Sequence, residues 1–402
     1  MKRFQGAAFS YRDFRYLFLA TGCQSVGFGM ENVALGWIVF EFTSSPLLVG
    51  LAMALRMIPF FLLGIVSGVV ADKSDRRVLL RLASTMGGLV MGILGALLVL
   101  GFENVWLVVI LATVGGAAQA FMLTLRQSYT YDIVGHQNAL SGLSMLQIGQ
   151  TTGALIGSLL AGLLIELIGA GWQFIAMAGT YFVSVVVLFG AQSPGQLFVE
   201  RTVPAGSSIA DYFKLLRDYP TLMILMCLAA ITEIFGFSHM TLIPVFAKDV
   251  LNVGSVGLGV LTSVRQFGGF LGLFALAILG DFQKKGLLMF VIVIAFGLCQ
   301  VTVFTSNGAI MFGVTLMILN GCAMAVDTLY KTLMQQNVPN EHRGKAMGTW
   351  VLSIGTGPLG HLGVGALAGS YGAPMAILFN GVVLSSAGII TAIALPKIRR
   401  LP

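Results

Sequence analysis

Twelve apolar stretches decide what this chain can fold into. They cover residues 16–42, 47–70, 79–100, 105–125, 140–165 and 172–191, then 222–246, 256–279, 287–304, 309–326, 347–368 and 375–394. A hydrocarbon core of about 30 Å takes about 20 apolar residues per helix. The chain is 57% hydrophobic and only 10% charged, and its stretches are apolar all round. Helices of a soluble core instead alternate apolar and polar faces. Open sheets are excluded as well, because lipid cannot satisfy their edges. The expected fold class is an all-α membrane protein with twelve transmembrane helices.

The placement of positive charge orients them. All but Lys248, Arg56 and Arg265 of the 23 Lys and Arg residues lie before the first span, in or beside every second gap, or after the last span. Basic residues are retained on the cytoplasmic side of a membrane, so both termini are expected there. The net charge of +7 thus reads as orientation, and no basic stretch interleaved with aromatics suggests nucleic acid. The first span is too long for a removed signal peptide and lacks its cleavage site. Cys23, Cys227, Cys299 and Cys322 all fall inside spans and read as small packing residues.

A polar segment over residues 192–219, with a short amphipathic stretch at 209–217, divides the chain into bundles at 1–191 and 220–402. The halves repeat. Gly50, Arg56, Asp72 and Arg76 match Gly259, Arg265, Asp281 and Lys285 at one constant offset. Arg126 with Ile133 matches Lys331 with Val338, and Gly162 with Gly169 matches Gly365 with Gly372, at slightly smaller offsets. Duplication followed by loop changes leaves such a drift. Two pseudo-symmetric six-helix bundles place a substrate site at their interface, near the bilayer midplane.

The gap between spans 2 and 3 reads Gly68-Val-Val-Ala-Asp72-Lys73-Ser-Asp75-Arg76-Arg77. This resembles the signature loop of the major facilitator superfamily, with Lys73 where Arg is usual and Asp75 where Gly is common. Five further stretches resemble its macrolide-efflux and enterobactin-exporter branch: Ala34-Leu-Gly-Trp37, Arg126-Gln127, Leu242-Ile-Pro244-Val-Phe-Ala247, Gly257-Leu-Gly259-Val-Leu and Val338-Pro-Asn-Glu-His-Arg343-Gly344. Helix 5 departs from the antiporter pattern, with Gly157-Ser158 where that pattern has Gly-Pro. The resemblance implies a multi-pass protein of the cell inner membrane that works as a monomer by rocker-switch alternating access. It also implies a cytoplasmic gate in which Gly68, Asp72 and Arg76 latch against the start of helix 11, near Arg343. Arg77 reads as a solvated charge.

Ionisable residues inside the spans are costly and face an aqueous cavity or one another. Glu31 and Arg56 each lie about 15 Å below the outer surface, at about 1.5 Å per residue. Equal depth on adjacent helices suggests an ion pair, either permanent or one in which Glu31 exchanges Arg56 for a proton or substrate. Glu233 lies near the middle of span 7 with no base at its depth on span 8, where Arg265 comes level with His239. Glu233 is the preferred proton carrier, the alternative being a neutral carboxyl bonded to a neighbouring helix. Asp327 precedes Lys331 by one helical turn, a spacing that allows a salt bridge.

No Walker loop, nucleophile elbow or metal-spaced His/Cys cluster occurs, and Gly254-x-x-Gly257-x-Gly259 opens a span rather than a strand–helix turn. No enzyme activity, metal or cofactor is therefore expected; the proton gradient is the expected energy source. The favoured reading is a secondary exporter of drug, macrolide or siderophore-like amphipathic molecules, with the substrate, protons and the lipid bilayer as its partners. An importer or lysolipid-type flippase on the same scaffold, and a non-transporting membrane sensor or scaffold, are the alternatives.

Overall fold

A computed structural model describes residues 7–193, 215–280, 282–306, 308–339 and 342–402, with the side chains at 7, 60–61, 64–69, 71–73, 136, 140 and 344 outside the description. Among the described residues the regular structure is helical throughout. In order the helices are α1 (Arg12–Thr43), α2 (Pro46–Lys73), α3 (Arg76–Val99), α4 (Val105–Gly135), α5 (Gln137–Ile168) and α6 (Ala170–Leu188). They continue as α7 (Pro220–Val250), α8 (Gly254–Leu279), α9 (Lys285–Phe304), α10 (Ala309–Gln336), α11 (Lys345–Tyr371), α12 (Ala373–Ala394) and the short α13 (Pro396–Arg399). Among the described residues ten of these are long and apolar enough to cross a membrane; α1, at 32 residues, and α2, at 28, have the length as well. The twelve-span all-α fold expected from hydropathy is the fold observed.

Polarity runs inside out relative to a soluble protein. Leu167, Ile278, Ile310 and Ile393 are exposed, while Gln24, Glu31, Ser84 and Gln173 are buried. The buried polar groups find one another: Gln24 Nε2 donates to Ser84 Oγ at 2.8 Å and to Ser184 Oγ at 3.3 Å. In lipid nothing else would satisfy them.

The helices reach past the apolar stretches. The gap expected between spans 4 and 5 shrinks to the neighbourhood of Gly135, whose φ of 70° and ψ of 167° are open to glycine without a Cβ penalty. Hydropathy marks only the length in hydrocarbon, and polar helix continues beyond it.

The chain forms two compact units. Unit one holds α1, α2 from Leu55 onward, α3–α6 and Ser255–Ser263 of α8. Unit two holds Ser44–Ala54 of α2, then α7, α8 from Val264 onward, and α9–α13. Each unit thus includes the opening turns of a helix that the six-plus-six reading gave to the other half. Glycine accounts for this. In unit two, Gly50 backs onto the His361 carbonyl and Gly365; in unit one, Gly162 backs onto Ser255 and Gly259.

Bare backbone also joins α1 to α5. A Cβ at Gly29 would collide with the Ala154 carbonyl, and one at Gly157 with the Val26 carbonyl. On α11, Gly360 packs against the Ile234 backbone, whereas Gly369 has open space. Gly157→Ala is expected to lower the melting midpoint of the detergent-solubilised protein, by about 1–3 kcal/mol of overpacking. Gly179→Ala, with nothing within 4 Å of its added carbon, serves as the control and should leave the midpoint in place.

Candidate functional site

Unit one holds a closed polar network around the two charges matched by depth. Arg56 Nε lies 2.8 Å from Glu31 Oε1, with the side chains 11% and 1% exposed. The guanidinium also donates to Asn32 Oδ1 at 3.0 Å and to Gln119 Oε1 at 3.4 Å. Gln119 in turn donates to the other Glu31 oxygen and, at 3.4 Å, to Tyr181 Oη. Phe28 lies across the guanidinium, 5.4 Å from ring centroid to Arg56 Cζ. Gly116 lets α4 come this close, since a Cβ there would strike the Arg56 carbonyl. Depth counting found the ion pair. Asn32, Gln119 and Tyr181 escaped it, because neutral polar residues leave little mark in a hydropathy profile.

At the basic end of unit one, Asp75 caps α3, accepting from Arg77 N at 2.9 Å and Val78 N at 3.4 Å. The departure from the signature loop at this position therefore has a structural use, as an N-cap. Arg76 Nη1 lies 2.7 Å from Asp132 Oδ1 on α4. Arg77 is not merely solvated: it donates to Gln192 O at 2.8 Å and sits 3.2 Å from Asp75 Oδ2. Backbone carbonyls left over at the end of α6 attract it. Arg343 is exposed at the start of its helix, and the side chains of Gly68 and Asp72 lie outside the described residues.

Asp13, just before the first span, closes the same corner by accepting from Ser193 N at 2.5 Å and Gln192 N at 3.1 Å. Burial pushes its carboxyl upward, but the Ser193 and Gln192 hydrogen bonds and the Arg12 charge outweigh that and hold it below the usual carboxylate range. A lowered folded-state value gives stability that is present above the unfolded value and lost as pH falls through the folded one. Below about pH 4, wild type should lose stability relative to its neutral-pH value by more than Asp13→Asn does. Thermal melts of both proteins across that range check this.

Unit two is built differently. Arg265 is buried and, among the described residues, its side chain bonds Asn320: its Nη1 donates to Oδ1 at 2.9 Å, and Asn320 Nδ2 donates to the Arg265 carbonyl at 2.8 Å. Among the described residues no carboxylate pairs with it. His239 is buried within the field of Arg265. Its Nδ1 lies 2.7 Å from Gly236 O, and its Nε2 has no partner among the described residues.

Gly236 is where α7 changes character. The α-helix stops at Phe235, and Phe237–Leu242 winds more tightly as a 3₁₀ turn. The loosened carbonyls of Phe235 and Gly236 accept Gln300 Nε2, each at 3.1 Å. Asn380 Nδ2 steadies the turn at Ser238 Oγ, 2.9 Å away. A break in a membrane helix persists only where such partners re-satisfy the backbone. The segment's high overall hydropathy hid it; Gly236, the polar Ser238-His239 pair and Pro244 were the available signal. His361 Nδ1 meets Thr241 Oγ1 at 2.7 Å.

Glu233 lies one turn before this break. Its charged neighbours are Asp327, which repels it, and Lys331, which attracts it, but among the described residues it has no ion-pair partner. Lys331 Nζ is held 2.7 Å from Asp327 Oδ2 and 4.1 Å above the Trp350 ring, whose Nε1 donates to Asp327 Oδ1 at 2.8 Å. Asp327 is thus tied to its own helix, as its spacing suggested, and it also belongs to the surroundings of Glu233, which the spacing did not reveal.

The sequence profile described as Major Facilitator Superfamily matches residues 17–357. The Staphyloferrin A transporter of Staphylococcus aureus is 25% identical over 367 residues, covering 89% of this chain and 90% of that protein. The Enterobactin exporter EntS of Citrobacter koseri is 26% identical over 395 residues, covering 96% and 92%. Among solved structures, a bacterial homolog to the human lysosomal transporter Spinster has a TM-score of 0.77 at 14% identity, with all of both chains covered. At that identity the likeness is one of fold.

Proposed function

The chain belongs to the Major Facilitator Superfamily as a multi-pass secondary transporter, and from that premise we propose that it exports anionic, siderophore-like amphipathic molecules in exchange for protons. One observation carries the reading. In unit one Arg56 is paired with the buried acid Glu31, whereas in unit two, among the described residues, buried Arg265 has no carboxylate partner and half-buried Glu233 has no ion-pair partner. Uncompensated charge in a membrane interior is costly and is a functional-site signal. Arg265 suits an anionic group of the substrate, and the open Nε2 of His239, left an acceptor while Nδ1 donates to Gly236 O, suits a hydroxyl group of it. Glu233 suits a proton that leaves before the next substrate is carried.

Relatives named for staphyloferrin A and enterobactin support a substrate of that chemistry. In this reading residues 1–191 and 220–402 act as two bundles joined by 192–219. They rock about a shared pocket in the cell inner membrane, with both termini cytoplasmic and one chain sufficient. Arg76 and Asp132, together with Asp72 and Arg343, serve the cytoplasmic gate. The proton gradient supplies the energy, and no cofactor or catalytic group takes part.

The test is uptake by inside-out vesicles energised with an inward-acid gradient. Enterobactin and staphyloferrin A, with a neutral macrolide for comparison, are offered to vesicles with and without the protein. Accumulation of an anionic siderophore above the empty vesicles is expected. Equal accumulation of all three, or of none, would overturn the proposed substrate class.

A further inference from the structure

Unit two carries a groove that neither the pair of uncompensated charges nor the gate uses. It has a volume of about 380 Å³ and lies between α8, α9 and α10. Its lining includes Gly268, Gly272, Ala275 and Leu279 of α8, Leu288 of α9 and Gly321 of α10, and no lining residue carries a charge. Close helix contact makes its floor, since Gly272 packs directly on the Gly321 backbone. On the neighbouring ridge of α8, Phe267, Phe270 and Phe274 stack in an exposed ladder, with centroids 6.4 and 6.3 Å apart. From Gly268 to Leu279 the groove runs about 16 Å along the helix. That is about half of a 30 Å hydrocarbon core, the depth of one leaflet.

The end of the groove says what fills it. Leu279 and Leu288 line that end, and exposed Lys284 sits in the turn between them. The tail of the chain is fixed to the same corner: Gly286 N donates to Leu401 O at 3.1 Å, and Gly286 backs onto the Ile398 carbonyl. Exposed Lys397 and Arg400 flank these contacts. Asp281 lies outside the described residues. A leaflet-long apolar slot that ends under three exposed cations matches one molecule, a lipid with a greasy tail and a negative head. We infer that this groove holds an acyl chain of an anionic phospholipid whose phosphate rests on Lys284, Lys397 and Arg400.

Native mass spectrometry of the full-length chain from detergent, with dioleoyl phosphatidylglycerol or dioleoyl phosphatidylcholine added, tests the assignment. Phosphatidylglycerol adducts should survive activation that strips phosphatidylcholine. Each cation removed, in Lys284→Gln and Arg400→Gln, should weaken phosphatidylglycerol binding about fivefold. Ala275→Phe, which fills the slot, should abolish the retained adduct, and circular dichroism checks that each variant is folded. If Ala275→Phe does not fold, the two surface variants decide alone. Equal retention of both lipids, unchanged phosphatidylglycerol binding in the folded variants, or a dimer that Ala275→Phe dissociates would each overturn the inference, the last by assigning the face to a second copy of the chain.

Discussion

Arg56→Met should cost the protein about 3–5 kcal/mol of stability, the penalty for leaving a buried charge without its partner. Glu31, 1% exposed and 2.8 Å from the guanidinium, would then keep only the Gln119 hydrogen bond. The double variant Glu31→Gln/Arg56→Met removes both charges and should recover most of the loss, because two buried ions replaced by neutral groups often leave stability unchanged. Thermal or denaturant melts of the four proteins form a double-mutant cycle. A coupling of a few kcal/mol is expected. Additive effects would mean that the two charges are held independently, and the closed network of unit one would lose its basis.

Arg265→Met is expected to act with the opposite sign on stability and with a large loss of function. This arginine leans on one amide, Asn320, and among the described residues it has no acid to neutralise it. Removing an uncompensated cation relieves its desolvation cost, so the melting midpoint should hold or rise. Transport of an anionic siderophore should fall to the level of empty vesicles, since losing a buried charged contact to a ligand costs about 2–5 kcal/mol. Matched residues of the two repeats would then differ in kind: Arg56 stabilises, and Arg265 binds. A variant that melts early and still transports would remove Arg265 from the substrate pocket.

Much of this was legible in the chain alone, and the gaps have physical reasons. Span number followed from apolar length, and the pairing of Glu31 with Arg56 followed from helix rise, because depth in a bilayer is one-dimensional and can be counted. Lateral position cannot. Gln119, Tyr181 and Asn320 complete their networks from other helices, and nothing in their own segments sets them apart. Asp132 was missed for a second reason: it lies past the apolar stretch of α4, where hydropathy reports a gap and the structure continues the helix. The break at Gly236 stayed hidden because an apolar segment keeps its hydropathy whether or not it is wound. The exchange of the opening turns of α2 and α8 between units rests on glycines at 50, 162, 259 and 365. The repeat alignment had picked out these same positions without saying what they touch.

The proton step is most directly tested by recording pH inside proteoliposomes that contain a trapped indicator dye while siderophore is added outside. With wild type, substrate movement should carry a measurable proton flux in the opposite direction. With Glu233→Gln, downhill substrate exchange should continue, the proton signal should vanish, and uphill accumulation should stop. Proton flux that persists unchanged in Glu233→Gln, or siderophore that moves uphill in wild type with no proton signal, would contradict a proton carried on Glu233.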